Sequence, residues 1–96
     1  MKVGTCVEWT SQAGGFKKVK RGCIAAVVPS GMSLNDCIKR ENWSFFDGQY
    51  DCSAIDQRDY KSRNHESYLV VVAASVGSRR RPKLYWPRRS SMVEII

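Results

Sequence analysis

Six basic residues and the adjacent pair Tyr85 and Trp86 lie within eleven positions near the C-terminus. Guanidinium groups bind phosphate and carboxylate oxygens through paired hydrogen bonds, and aromatic rings stack on bases or cations. This combination predicts a surface that binds a polyanion. Because neighbouring side chains of a strand point to opposite faces, we expect Tyr85 to face the core and Trp86 to lie near the surface. The predicted contact residues are Arg79, Arg80, Arg81, Lys83, Trp86, Arg88 and Arg89.

A second basic cluster precedes the first by about sixty positions. It consists of Lys17, Lys18, Lys20 and Arg21 around Val19. In a strand, Lys18 and Lys20 share one face while Lys17 and Arg21 share the other. Two interpretations are open: the cluster extends the same positive groove, or it keeps an exposed hairpin soluble.

The remaining polar residues form no recognisable catalytic or metal-binding motif. Four cysteines, Cys6, Cys23, Cys37 and Cys52, lack the C-x-x-C spacing of zinc sites, and we expect them to be reduced thiols. No protease signature surrounds the single histidine, His65, and no glycine-rich phosphate loop occurs. We therefore predict that the protein is not an enzyme and uses no cofactor, metal or small-molecule substrate.

Size and charge narrow the class of partner. The chain has 96 residues and a net charge of +7, which predicts one small domain over residues 1–96 that attracts anions. The net charge is +4 over 1–35, −2 over 36–66 and +5 over 67–96. Because there is no apolar leader and no run long enough to cross a bilayer, we expect a cytoplasmic location and no membrane partner.

The elements that position these residues are mostly predicted strands. Alternation near the N-terminus places Thr5, Val7 and Trp9 on the core face. Residues 16–28 indicate one long bent strand, in which Gly22 marks a bulge or a sharp bend. Further strands are predicted at 67–74, 83–86 and 92–96, and the first of these is central because it is apolar on both faces.

The middle of the chain predicts an insertion between strands. Residues 33–40 favour a short helix that begins after an N-cap at Ser33, and the charged stretch 56–66 favours an exposed loop. An aromatic cluster between them either pins the insertion to the core or forms a docking patch. Its members are Trp43, Phe45, Phe46 and Tyr50.

Five or six short strands in under 100 residues predict a mainly β fold, a small antiparallel barrel with an inserted segment at about 29–65. Val7-Glu8-Trp9, Gly14-Gly15 and Gly22-x-Ile24-x-x-Val27 resemble the opening hairpin of SH3-like barrels of the Tudor and KOW type. Residues 66–71 and 91–94 are similar to the last strands of short bacterial hypervirulence-associated Tudor-domain proteins, and the chain also resembles uncharacterised phage and prophage proteins. The resemblance covers about 4–28 and 66–96. It implies a non-catalytic binding barrel that contacts nucleic acid or a protein tail.

Two functions follow from these patterns. The first is a binding module that holds DNA or RNA through the phosphate backbone, with Trp86 stacked on a base. The alternative is a phage-encoded inhibitor of a host defence machine, of the anti-CRISPR type. It would act in the host cytoplasm and dock its basic face onto an acidic protein surface. A third interpretation is a nuclear localisation signal at 79–83.

Overall fold

Alternating apolar residues near the N-terminus form a hairpin of two long strands. The structure is a computed structural model that describes residues 2–13, 16–43, 48–55, 61–74, 77, 79–88 and 92–95. Strand β1 spans Cys6–Ala13 and β2 spans Phe16–Val28, and the two pair antiparallel in one continuous register. Val7 and Trp9 are buried whereas Cys6 is exposed, which confirms the predicted core face of β1.

Within the described residues, three further strands join the hairpin in one antiparallel sheet. They are β3 at Ser67–Val72, β4 at Lys83–Tyr85 and β5 at Met92–Glu94. The strand order is β4-β3-β2-β1-β5, so the last strand returns to lie beside the first. The mainly β prediction and the central position of β3 are confirmed. In the described part of the chain β4 and β5 are the two edges of the sheet, which is not closed there.

The long strand β2 joins the two halves of this sheet. Its first part pairs with β1 and its second part with β3, and Cys23 is paired on both sides. A Cβ atom at Gly22 would collide with the carbonyl oxygen of Val71 and lie 2.8 Å from Cγ1 of Val70. Glycine thus lets β3 approach closely at this point, while the register shift itself lies between Ile24 and Ala26.

A short helix lies in the predicted insertion. Helix α1 spans Leu34–Glu41, and the Ser33 hydroxyl caps it by accepting a hydrogen bond from the Asp36 backbone N–H at 3.2 Å. Asn42 ends the helix in the left-handed conformation, with φ of 50°. The predicted helix and its N-cap are therefore confirmed. The apolar side of α1 carries the buried residues Leu34 and Cys37.

Both faces of the sheet carry a hydrophobic core. On one face, which we call the front, β1, β2 and β3 contribute Val7, Trp9, Ile24 and Val70. On the other face, which we call the back, α1 and Ile55 pack against Leu69, Leu84 and Trp86. Trp43 and Tyr50 of the predicted aromatic cluster pack against the back core, whereas Phe45 and Phe46 lie outside the described residues.

Candidate functional site

Two lysines from different strands converge on one tyrosine at the edge of the front face. The Lys20 ammonium group lies 4.3 Å from the centroid of the Tyr85 ring and donates a hydrogen bond to its hydroxyl at 3.2 Å. The Lys83 ammonium group lies 5.6 Å from the same centroid. Cations within about 6 Å of an aromatic centroid are attracted by the ring's negative face. The ring therefore holds two positive charges close together.

The sheet register explains how these residues meet although β3 separates their strands. Lys20 lies opposite Trp9 on β1, and Tyr85 lies opposite Val70 on β3, so both side chains belong to the front face. Lys83 precedes Tyr85 by two positions and shares that face. The Tyr85 ring packs against buried Trp9 with the centroids 5.5 Å apart and the planes at 61°. Tyr85 is thus fixed on its core side and half-exposed on its other side.

The arginine run adjoins these residues. A pocket of about 380 Å³ is lined by Arg80, Arg81, Lys83, Tyr85 and Asp51, together with residues 72–74 at the end of β3. Three cations and one carboxylate therefore surround it. We call Lys20 and these five lining side chains the Tyr85 surface.

Backbone contacts fix the position of Asp51 and Arg81 within the Tyr85 surface. The Arg81 guanidinium group donates a hydrogen bond to the Gly48 carbonyl at 2.6 Å. The Asp51 N–H donates to the Pro82 carbonyl at 2.8 Å, and the Leu84 N–H donates to the Asp51 carbonyl at 2.9 Å. The segment that carries Asp51 therefore runs along the free edge of β4, where it forms a short parallel bridge to Lys83.

The Asp51 carboxylate is held in its charged form. Hydrogen bonds from Ser53, first from its backbone N–H at 3.0 Å, lower the pKa of Asp51, and the positive charges of Lys83 and Arg81 lower it further. An ionised Asp51 offsets part of the positive charge of the pocket. The pocket is therefore a partly neutralised group of charges on a folded surface.

Trp86 does not take the surface position that the sequence predicts for it. Trp86 is only 8% exposed, belongs to the back core and donates its indole N–H to the Ser67 hydroxyl at 2.9 Å. The expectation that Trp86 lies near the surface is therefore wrong, whereas Tyr85 packs against the front core and remains half-exposed. Because α1 and Ile55 cover the back face beside β4, that face has a core to receive the indole.

Sequence reasoning missed Arg63, which covers the Trp86 ring. Its guanidinium carbon lies 3.7 Å from the ring centroid, and its terminal nitrogens donate to the carbonyls of Pro87 and Trp86 at 2.9 and 3.1 Å. The planar guanidinium group thus binds both the ring and the backbone that follows β4. No sequence signal marks Arg63, since it lies in a charged stretch that favours an exposed loop.

The other predicted contact residues that the structure describes are not among the side chains of the Tyr85 surface. Arg21 points to the back face, where it forms an exposed ion pair with Glu8 at 2.7 Å. Lys17 and Lys18 are exposed farther along the β1–β2 hairpin, and Lys18 shares the front face with Lys20. The remaining predicted residues are Arg79 and Arg88, which are exposed, and Arg89, which lies outside the described residues.

The structure otherwise offers few indications of chemistry. Among the residues that it describes, no group of three or more histidine, cysteine, aspartate or glutamate side chains is placed to hold a metal ion. No helix in the same ranges has the length and apolar character needed to cross a bilayer. Comparison with family models, curated proteins and solved structures finds no match for this chain.

Proposed function

We propose that this protein is a non-catalytic binding module that holds nucleic acid, mainly through the phosphate backbone, on the Tyr85 surface. The observation that carries the proposal is the convergence of Lys20 and Lys83 on Tyr85, beside a pocket lined by Arg80 and Arg81. These cations come from β2, from β4 and from the connection that precedes β4. A folded arrangement of this kind supports a binding surface more strongly than a basic run in the sequence alone.

The spacing of the charges suits a polyanion better than a single small anion. Phosphates recur along a nucleic acid strand, so a row of separated cations neutralises several of them at once and releases their counterions. Exposed Lys18, which shares the front face with Lys20, extends the row along the hairpin. Because Trp86 is buried, Tyr85 is the aromatic residue of the pair that remains half-exposed to meet a base.

The strand order supports an SH3-like barrel of the Tudor or KOW type as the scaffold of this module. A four-strand meander in which β5 returns beside β1, with a long β2 shared between two halves, is the order expected when such a sheet curls towards closure. The close approach of β3 to Gly22 is consistent with that curvature. On this proposal the basic residues lie at the rim of a small barrel.

A salt titration tests the proposed function. Affinity for double-stranded or single-stranded DNA and for RNA is measured by fluorescence anisotropy at increasing salt. The logarithm of the association constant should fall linearly with the logarithm of salt, with a slope of about −0.9 per neutralised phosphate on duplex DNA. Four converging cations predict a slope of about −3 to −4. Absence of binding at low ionic strength, or a slope near zero, overturns the proposal.

A pair of charge-neutralising variants locates the surface. Lys83→Gln removes one cation of the Tyr85 surface and should weaken binding to all sequences and make the salt slope shallower by about one. Lys39→Gln makes the same change in net charge at an exposed position of α1, the helix that packs against the back face. This variant should have little effect on nucleic acid binding. Equal losses for the two variants would show that net charge, not the Tyr85 surface, holds the nucleic acid.

A protein partner is the second candidate. Val93 on β5 is 67% exposed and Val19 on β2 is 60% exposed, and both lie near the Glu8–Arg21 ion pair on the back face. Exposed apolar side chains beside an ion pair suit a protein interface. An inhibitor of a host defence complex would need such an interface. Pull-down from host lysate after nuclease treatment separates the two: a partner retained after nuclease favours protein docking, and loss of all partners favours nucleic acid.

A further inference from the structure

Two thiols face each other across the β1–β2 hairpin. Cys6 and Cys23 are directly opposed in the register, and their sulfur atoms are 3.4 Å apart, within hydrogen-bonding distance. Both are free thiols, with Cys6 exposed and Cys23 half-buried. The pair lies on the back face of the sheet, away from the lysines that converge on Tyr85.

The backbone at this position has the geometry that a cross-strand disulfide requires. The Cys6 carbonyl accepts a hydrogen bond from the Ile95 N–H at 2.9 Å, so its backbone polar groups point to the β5 side and away from β2. Cys6 and Cys23 therefore form a non-hydrogen-bonded pair, in which Cα atoms are typically about 4.5 Å apart. Disulfides span Cα separations of roughly 4.4–6.8 Å. The spacing typical of such a pair lies within that range.

Small reagents can reach the pair. Cys6 and Cys23 line a pocket of about 440 Å³, together with Gly22, Tyr50 and Pro82. Cys37, in contrast, is fully buried on the apolar side of α1, in the back core. The four thiols of the chain therefore differ in their exposure to solvent. The two that are opposed in the sheet also border an open pocket.

We infer that Cys6 and Cys23 are a redox-active dithiol that closes to a cross-strand disulfide when it meets an oxidant of the low-molecular-weight disulfide class. One thiolate attacks the reagent, breaks its S–S bond and forms a mixed disulfide, and one thiol leaves. The second thiolate then attacks the protein sulfur of that mixed disulfide and releases the second thiol. Two protein S–H bonds are lost and one S–S bond is formed, and the two electrons and two protons end on the two released thiols.

Intact-mass spectrometry tests this inference on the full chain. The reduced protein is incubated with oxidised glutathione under native conditions. The reaction is then quenched with acid, and the intact mass of the protein is measured. The wild-type mass should fall by two hydrogen atoms with no glutathione retained. Cys6→Ser and Cys23→Ser should each abolish that loss and keep one glutathione on the remaining thiol. Cys52→Ser, the matched control, should still lose two hydrogen atoms.

Peptide mapping of the oxidised wild-type protein gives an answer that does not depend on a variant. The expected product is a linked pair of peptides joined through Cys6 and Cys23. Two stable glutathione adducts without a link, or a link that includes Cys37 or Cys52, overturns the inference. Because the test uses no nucleic acid, its outcome is independent of the proposed binding function.

Discussion

The Lys20 ammonium group lies 4.3 Å from the centroid of the Tyr85 ring, although 65 positions separate the two residues along the chain. The contact crosses β3, which lies between their strands in the sheet. It therefore depends on the complete sheet rather than on any local segment. Trp9 supports the ring from the core side, so this lysine–tyrosine contact links the hydrophobic core of the front face to its charged edge.

We expect Tyr85 to matter for binding through its ring rather than its hydroxyl group. Tyr85→Phe keeps the stacking surface and should leave affinity for single-stranded DNA nearly unchanged. Tyr85→Ala removes the ring and should weaken binding by about 1–3 kcal/mol, the usual contribution of a stacked base. Fluorescence anisotropy at low salt measures both, with circular dichroism as the check that each variant is folded. A folded Tyr85→Ala protein with wild-type affinity would show that no base stacks there.

The buried Trp86 should contribute to stability rather than to binding. Trp86→Phe removes the indole N–H that binds Ser67 and shrinks the ring beneath Arg63, so the free energy of unfolding should fall by about 1–3 kcal/mol. Urea denaturation measures this change. Affinity for nucleic acid should not change under conditions where the variant is folded. A selective loss of affinity without loss of stability would restore Trp86 as a contact residue.

Local sequence patterns were sufficient to predict the regular elements of this fold. Alternation of apolar and polar residues identified the core face that carries Val7 and Trp9, and Ser33 identified the start of α1. Each of these features depends on residues a few positions apart. The sheet order and the meeting of Lys20 with Tyr85 could not be predicted in this way, because they depend on which strands pair across the sheet.

Alternation also could not decide between Tyr85 and Trp86. A period of two shows that neighbours point to opposite faces, but it identifies the buried one only when a single face has a core. Here both faces have cores, and the back core is completed by α1 and by Arg63 from a charged stretch. The assignment of the aromatic residues therefore depended on an insertion whose packing the sequence did not reveal.

Two glycines should respond differently to substitution by alanine. Gly22→Ala places a Cβ atom against the Val71 carbonyl and Val70, so either the strands must separate or neighbouring side chains must shift, at a cost of about 1–3 kcal/mol. Gly77→Ala meets no atom within 4 Å but must adopt a φ of 80°, at a cost of about 1 kcal/mol. Urea denaturation of both variants separates steric from conformational cost. A Gly22→Ala variant that loses less than about 1 kcal/mol would mean that β3 does not approach Gly22 closely in solution.

The reduced protein should lose stability at alkaline pH. Burial raises the pKa of the Cys37 thiol and of the Cys52 thiol, and the hydrogen bond with Cys6 raises the pKa of Cys23. Each thiol therefore holds its proton more tightly in the folded state than in the unfolded state. The stability that this contributes is fully present below the unfolded pKa of about 8.5 and is lost as the pH rises through the higher folded pKa.

Urea titrations between about pH 7.5 and pH 9.5, with reductant present, measure this dependence. The free energy of unfolding should fall across the range, and Cys37→Ala should show a shallower fall although it is less stable overall, because the substitution leaves a small cavity in the back core. Lys39→Gln, which leaves all four thiols in place, should retain the wild-type slope. A free energy of unfolding that stays constant with pH would show that the Cys37 thiol is equally free to ionise in the folded and unfolded states.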